Sequence, residues 1–300
     1  MRSLPAQVID EVAKIIRDKE PQITLALAAF VSGGHVLIED APGTGKTTLA
    51  RALGHHLSLD WKRLQCTNDT MPSDILGVNI FDTQTDKFIF RQGPVFAQLF
   101  LADELNRAPS KSQSALLEAM AERQASIDGV AYELPKPFVM IATQNPGEQI
   151  GVSPLPESQL DRFAVSFSLG LPSADTEIDL LRELKTGDAL ALLSAPIITT
   201  EAFIDIQKQA REVEVSDAIL TYLQTLATHI RQGLMPNLSV RALIQIKSLA
   251  QSMALIEGRD YVVPEDIQAV MVPALRHRLT TKSLEFETRL SELVAEIAVP

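Results

Sequence analysis

The sequence predicts an α/β fold with a parallel sheet flanked by helices, followed by a smaller all-α domain. Three observations carry this: strand-like and helical runs alternate through the first half, strand signals stop after Leu169, and 300 residues suffice for about two domains. The strand candidates are His35 to Glu39, Lys62 to Gln65, Gln98 to Ala102, Phe138 to Thr143 and Ala164 to Leu169, all short apolar or β-branched runs. Between them, Ile23 to Val31, Thr47 to Leu57 and Ser110 to Glu122 carry apolar residues at helical spacing. Leu171, Pro172 and Ser173 then open a purely helical stretch, which puts the division at residues 1–170 and 171–300. Helix starts are expected at Thr200, Ser216, Ser239 and Pro264, where Ser and Thr can accept unpaired amide hydrogens and proline suits a first turn. The connection from Leu184 to Ile197 reads as poorly packed, and there is no internal repeat or heptad array.

Composition narrows the function. With 46% hydrophobic and 22% charged residues the chain is globular. Its 27 Lys and Arg stand against 38 Asp and Glu, a formal charge of −11 that repels phosphate backbones, and 5% aromatic residues supply no stripe of stacking platforms. Nucleic acid is therefore an unlikely partner on sequence grounds. The single cysteine, Cys66, has no internal disulfide partner, which fits a reducing compartment and a packed, unreactive side chain. The segment from Met1 to Asp10 has no basic-then-apolar leader pattern, and Ile23 to Val31 is too short for a bilayer span, so the expectation is a cytoplasmic protein without membrane insertion.

The strongest local signal runs from Asp40 through Ala41, Pro42, Gly43, Thr44, Gly45, Lys46 and Thr47, between the strand HVLIE and a helix that continues from Thr48. Glycines 43 and 45 let backbone N–H groups converge on phosphate oxygens, and the helix N-terminus adds positive potential. Lys46 reaches the outer phosphates and Thr47 can ligate magnesium. The GxxxxGK[ST] pattern is incomplete, because Asp40 stands at its first glycine. A phosphate loop needs a second strand bearing acids, and Leu99 to Glu104 (LFLADE) provides one. Asp103 is expected to hold the metal through water, and Glu104 to act as general base for the attacking water. Asn145, after another strand end, offers a neutral amide to the γ-phosphate and the lytic water, although Asn-Pro alone also reads as a turn. The residues thus point to a magnesium-dependent nucleotidase.

Taken in order, these pieces resemble the AAA+ ATPases, and within them the MoxR family. The likeness rests on Leu101 to Gly129, Ala142 to Phe163 and Val240 to Ile267, together with the phosphate loop. The resemblance implies ATP as the nucleotide with Mg2+, a homo-oligomer in the form of a hexameric ring, and a chaperone that remodels or matures a protein client. It also implies partners carrying a von Willebrand A domain. Within LDRF, Arg162 matches an arginine finger that reaches a neighbouring subunit's nucleotide, and Arg241 matches a second sensor that contacts the γ-phosphate from the lid. Val240 replaces the proline that commonly precedes that arginine. Two insertions, around Asp74 to Gly93 and Ala125 to Pro137, read as hairpins turning at Asp86-Lys87 and Asp128-Gly129 and are expected to face a pore or client. The residues Ile16 to Lys19 depart from the family's usual segment before the first helix, where adenine is held. A DNA-associated motor of the same branch and a nucleotide-controlled scaffold with little turnover are the alternative functions.

Other residues carry less. Adjacent His55 and His56 diverge by about 100° on a helix and cannot easily share a metal ion. Arg276, His277 and Arg278 form a compact basic group expected at a subunit or solvent contact.

Overall fold

In a computed structural model of the chain, the residues described are 2–145, 153–183, 193–278 and 284–297. In chain order the elements begin with α1 (Leu4–Ile15), α2 (Glu20–Val31), β1 (Val36–Glu39), α3 (Lys46–His56), β2 (Trp61–Gln65) and α4 (Pro72–Leu76). There follow β3 (Gly77–Asp82), β4 (Lys87–Gln92), β5 (Leu99–Asp103), α5 (Ser110–Glu122), β6 (Gln124–Ile127), β7 (Val130–Glu133), β8 (Val139–Gln144), α6 (Glu157–Leu160) and β9 (Val165–Phe167). The rest is helical: α7 (Ala174–Glu183), α8 (Thr200–Glu212), α9 (Asp217–Gly233), α10 (Val240–Ile256), α11 (Pro264–Leu275) and α12 (Leu284–Glu296).

Five strands form one parallel sheet in the order β2-β5-β8-β1-β9. These are the five expected runs, with ends shifted by a residue or two. Strands β1, β5 and β8 read as near-continuous apolar runs because they are buried on both faces. Their side chains divide by the period of two: Leu37, Phe100, Ala102, Met140 and Ala142 pack toward α4 and α5. Val36, Ile38, Leu99, Leu101, Val139 and Ile141 face the layer that holds α1 to α3. That second layer is continuous with the apolar interior of α8 to α12, so the helical part packs directly on the α/β part through one core.

Capping follows the expected chemistry with a small shift. Thr199, rather than Thr200, accepts the Ala202 amide at 3.3 Å, Ser216 accepts from Ile219 at 3.4 Å, and Ser239 accepts from Ala242 at 3.1 Å. Within the Leu184 to Ile197 connection, residues 184–192 lie outside the described residues. Its end is held firmly, since the amides of Ile197 and Ile198 both donate to the His56 carbonyl.

Both insertions are antiparallel hairpins, β3–β4 and β6–β7. The second turns at Asp128 (φ 50°) and Gly129 (φ 81°), the two left-handed residues that a two-residue turn requires. The first differs from expectation: Lys87 already belongs to β4, and the turn spans residues 83–86. The Asp82 carboxylate fixes it by accepting from Gln84 N and Thr85 Oγ1 at 3.0 and 2.7 Å. The hairpins meet where Phe90 stacks on Tyr132, ring centroids 4.1 Å apart, and Asn79 donates to Asp128 at 2.6 Å.

The basic group at the end of α11 corrects the sequence expectation of a subunit or solvent contact. His277 is buried against the Phe163 carbonyl, Arg278 pairs with Asp161 at 2.8 Å, and Arg276 pairs with Glu287 at 3.3 Å. His277 and Arg278 thereby tie the helical part to the segment leading to β9, while Arg276 ties the end of α11 to α12.

Candidate active site

Because the sheet is parallel, the carboxyl ends of β1, β5 and β8 share one edge, and the chemistry-bearing residues emerge there. The loop after β1 ends at Gly45, whose φ of 91° makes it the left-handed cap of α3, and Gly43 is also left-handed at 85°. An added Cβ at Gly43 would meet nothing within 4 Å, so the requirement there is conformational. Lys46 donates its ammonium to the carbonyls of Asp40 and Ala41 at 2.8 and 2.9 Å. A cleft of about 350 Å³ is lined by Pro42, Gly43, Gly45, Lys46, Thr47 and Thr48 from this loop and by Arg63, Gln65, Asp103, Glu104 and Asn145. Thr44 turns its hydroxyl back to the Ala41 carbonyl at 3.3 Å.

Asp40, the residue that breaks the glycine pattern, faces away from the loop's interior. Its carboxylate accepts from Ala41 N at 2.8 Å, Ser168 Oγ at 3.1 Å and Gly170 N at 2.7 Å. The acid therefore fastens the exit from β9 to the phosphate loop. Ile16 approaches the loop from the other side, with its Cδ1 3.6 Å from where a Cβ on Gly45 would stand. The neighbouring Asp18 accepts from Ser173 N and Oγ at 3.0 and 2.8 Å. A hydrogen bond from the Thr176 side chain first, and then those from Ser173, hold its carboxyl down at about 2.

The acids at the end of β5 are tied together through β8. The buried Thr143 hydroxyl donates to Asp103 Oδ1 at 2.5 Å and accepts the Glu104 amide at 2.8 Å. Glu104 itself adopts a left-handed backbone, φ 54°, which turns it out of the strand. Arg63 grips Asp103 Oδ2 through Nε at 3.1 Å and Nη2 at 2.6 Å, and Arg107 pairs with Glu104 Oε2 at 3.0 Å. Behind them the Cys66 thiol is pushed up to about 12, first by burial and then by the two acids. It stays a packed thiol.

Arg63, Gln65, Arg107 and Thr143 were not singled out as functional in the sequence. Arg63 and Gln65 alternate along β2, a period-two signal, but nothing local tells that β2 pairs with β5. Thr143 looked like one more β-branched strand residue.

Arg162 and Arg241 lie elsewhere. Arg162 precedes β9, at the amino edge of the sheet, where its Nη1 donates to the Leu117 carbonyl at 2.6 Å. It shares a hollow of about 200 Å³ with Gly33, His35, Arg123 and Arg241, and Arg241 reaches Asp161 at 3.9 Å. The strands separate this hollow from the phosphate loop by roughly four residues at about 3.3 Å each. The described lid thus does not carry Arg241 over this chain's own phosphate loop, which corrects the simplest form of the second-sensor expectation.

A glycine loop between strand β1 and its helix, faced by acids from β5 across the intervening β8 and backed by a helical lid, defines an AAA+ ATPase. Residues 35–165 match the family model of ATPases associated with various cellular activities (AAA), and residues 227–297 match the AAA lid domain. The chain belongs to the MoxR family of these ATPases. It is 36% identical to Chaperone MoxR1 of Mycobacterium tuberculosis over 98% of this chain and 79% of that protein. It is also 37% identical to the uncharacterized protein YeaC of Bacillus subtilis over 100% of this chain and 96% of that one. A crystal structure from Cytophaga hutchinsonii, described as a candidate ATPase, superposes with a TM-score of 0.85 at 33% identity, covering 98% of this chain and 94% of that one.

Proposed function

We propose that this ATPase hydrolyses ATP with magnesium, works as a hexameric ring and uses the cycle to remodel or mature a protein client. The observation that carries the reading is the Asp103–Thr143–Glu104 chain of hydrogen bonds, which fixes two acids that line one cleft with Lys46 and Asn145. Lys46 would exchange its two carbonyl contacts for the outer phosphates, with Pro42, Gly43, Thr44, Gly45 and Thr48 forming the cradle. The oxygen donors of Thr47 and Asp103 suit magnesium. Bound there, the ion would neutralise charge on the phosphates. Glu104 takes a proton from the attacking water, whose oxygen bonds to the γ-phosphorus as ADP departs, and Asn145 orients that water. Glu104 must first leave Arg107.

The sheet's polarity supports a shared site. Arg162 and Arg241 sit on the amino edge, where they can serve a neighbour's nucleotide when identical chains stack head to tail. Arginine fingers supply roughly 10³ to 10⁵ in rate, so turnover should depend on assembly. We place the boundary between core and lid at 170/171. A client role is supported by the name of the MoxR1 relative and by the β3–β4 hairpin, which exposes Phe81, Phe88 and Ile89 by 47%, 72% and 49%. A partner with a von Willebrand A domain follows from the family. No helix among the described residues is long and apolar enough to cross a membrane, which accords with a cytoplasmic role.

The test is ATP turnover measured against protein concentration, with light scattering for mass, on wild type and Glu104→Gln. Turnover per subunit that rises with assembly and is lost in the variant is expected. A flat, negligible rate despite nucleotide binding would favour a scaffold instead.

A further inference from the structure

Helix α7 is amphipathic, with its apolar residues facing outward. From Ala174 to Arg182 none of its side chains is buried, and only Thr176 and Leu180, one turn apart, are half-covered. On another face Ala174, Ile178 and Leu181 recur at helical spacing, and Ile178 and Leu181 are 46% and 84% exposed. A ten-residue helix held by so narrow a face is marginal by itself, so an outward apolar stripe of this kind marks a surface for something else. Asp175 and Glu177 flank the stripe and make no ion pair among the described residues.

At the opposite edge of the sheet lies a groove of about 350 Å³ with an apolar floor that includes Phe138 and Ile204 and a rim that includes Arg123, Lys208 and Arg211. Arg123 donates to the carbonyls of Gly33 and Phe138, Lys208 pairs with Asp205 of its own helix at 2.8 Å, and Arg211 makes no ion pair among the described residues. Burial first, and then the charge of Arg211, lower the Arg123 pKa. In a chain of net charge −11, this basic apolar groove complements α7 in both charge and hydropathy.

We propose that α7 of one copy docks in this groove of the next copy, with Ile178 and Leu181 over Phe138 and Ile204, and Asp175 and Glu177 toward Arg211 and Lys208. The polarity of the fold favours another copy as the occupant. The segment leading into α7 is fastened to the phosphate-loop edge through Ser168, Gly170 and Ser173. The groove is built on Gly33 and Phe138, which precede β1 and β8 at the amino edge. A contact between opposite edges of identical chains is heterologous and repeats in one direction. It is the direction in which Arg162 and Arg241 would reach a neighbour's phosphate loop, and the inference rests on that ring reading.

The experiment mixes differently tagged full-length Leu181→Cys and Ile204→Cys chains with Mg-ATP and a short bismaleimide, alongside mass measurements on charge variants. The native Cys66 is buried and stays silent. A cross-link between the two tags is expected. Arg211→Glu and the pair Asp175→Lys/Glu177→Lys should each raise the assembly midpoint at least tenfold, and mixing them should recover it to within threefold. Wild type that assembles while Arg211→Glu assembles identically, with no intermolecular cross-link, overturns the docking alone. Wild type that stays monomeric at every concentration overturns the ring as well.

Discussion

Replacing Thr143 by valine removes one hydroxyl and keeps the shape of the side chain. That hydroxyl donates to Asp103 at 2.5 Å and accepts the Glu104 amide at 2.8 Å, and Thr143 is fully buried. A hydrogen bond to a buried carboxylate contributes about 1.5–3 kcal/mol, and an amide left unpaired costs about 1–3 kcal/mol. The two terms overlap because both report one hydroxyl, so the expected loss is about 2–4 kcal/mol in urea unfolding. Since the same bond fixes the backbone that aims Glu104, part of the loss falls on the transition state. The expected kcat falls by about 10- to 100-fold, equivalent to about 1.4–2.7 kcal/mol. Nucleotide affinity, measured by calorimetry with Mg-ATP, should stay within about twofold, because Lys46 and the loop are untouched. Thr143→Ser keeps both hydrogen bonds and should restore turnover. A valine variant with wild-type kcat and a stability change below about 0.5 kcal/mol refutes the argument.

Lys46→Ala should abolish nucleotide binding, whereas Glu104→Gln should retain ATP and lose turnover; equal loss of binding in both, by calorimetry, sinks the assigned roles. Arg162→Ala should bind nucleotide normally yet lose assembly-dependent turnover, and mixing it with Glu104→Gln chains should recover part of the activity. If no mixing ratio recovers any in a sample shown to exchange subunits, the trans role loses its support. His35 is buried, accepts the Met140 amide on Nδ1, and is held well below its ordinary value by burial and by Arg123. Its unfolded form therefore binds the extra proton, and stability is full above about pH 6.5 and falls on acidification by up to about 1.4 kcal/mol per pH unit. Urea midpoints between about pH 7 and 5 should show a shallower fall in His35→Asn, and an unchanged slope contradicts this.

Much of the site was legible because its signals are local. Gly43 to Thr47 and the run into Asp103 and Glu104 are contiguous in sequence, and their backbone demands, a left-handed Gly45 and a strand end, can be read without knowing any neighbour. Arg63 and Thr143 were not legible for the opposite reason. They act on Asp103 from strands on either side of β5, and the order β2-β5-β8-β1-β9 is a property of long-range pairing. Arg276 to Arg278 failed in the same way, since two arginines around a histidine read as surface until Asp161 and Glu287 are placed beside them.

Asp40 shows how a departure from a motif can be part of the design. The two glycines that adopt left-handed backbone remain in the loop, and Asp40, at the first position of the pattern, needs no such freedom in this chain. Its carboxylate instead accepts three hydrogen bonds, two of them from the exit of β9. The same residue run that holds phosphate thereby sets where the chain leaves the sheet toward α7. Under the proposed cycle, nucleotide that drew Lys46 off the Asp40 and Ala41 carbonyls would act at the root of that exit. A parallel sheet puts the phosphate loop on one edge and Arg162 on the other, so in the proposed ring one copy would hold halves of two different sites. A neighbour would complete each, and the segment anchored by Asp40 lies on the side that such a neighbour would meet.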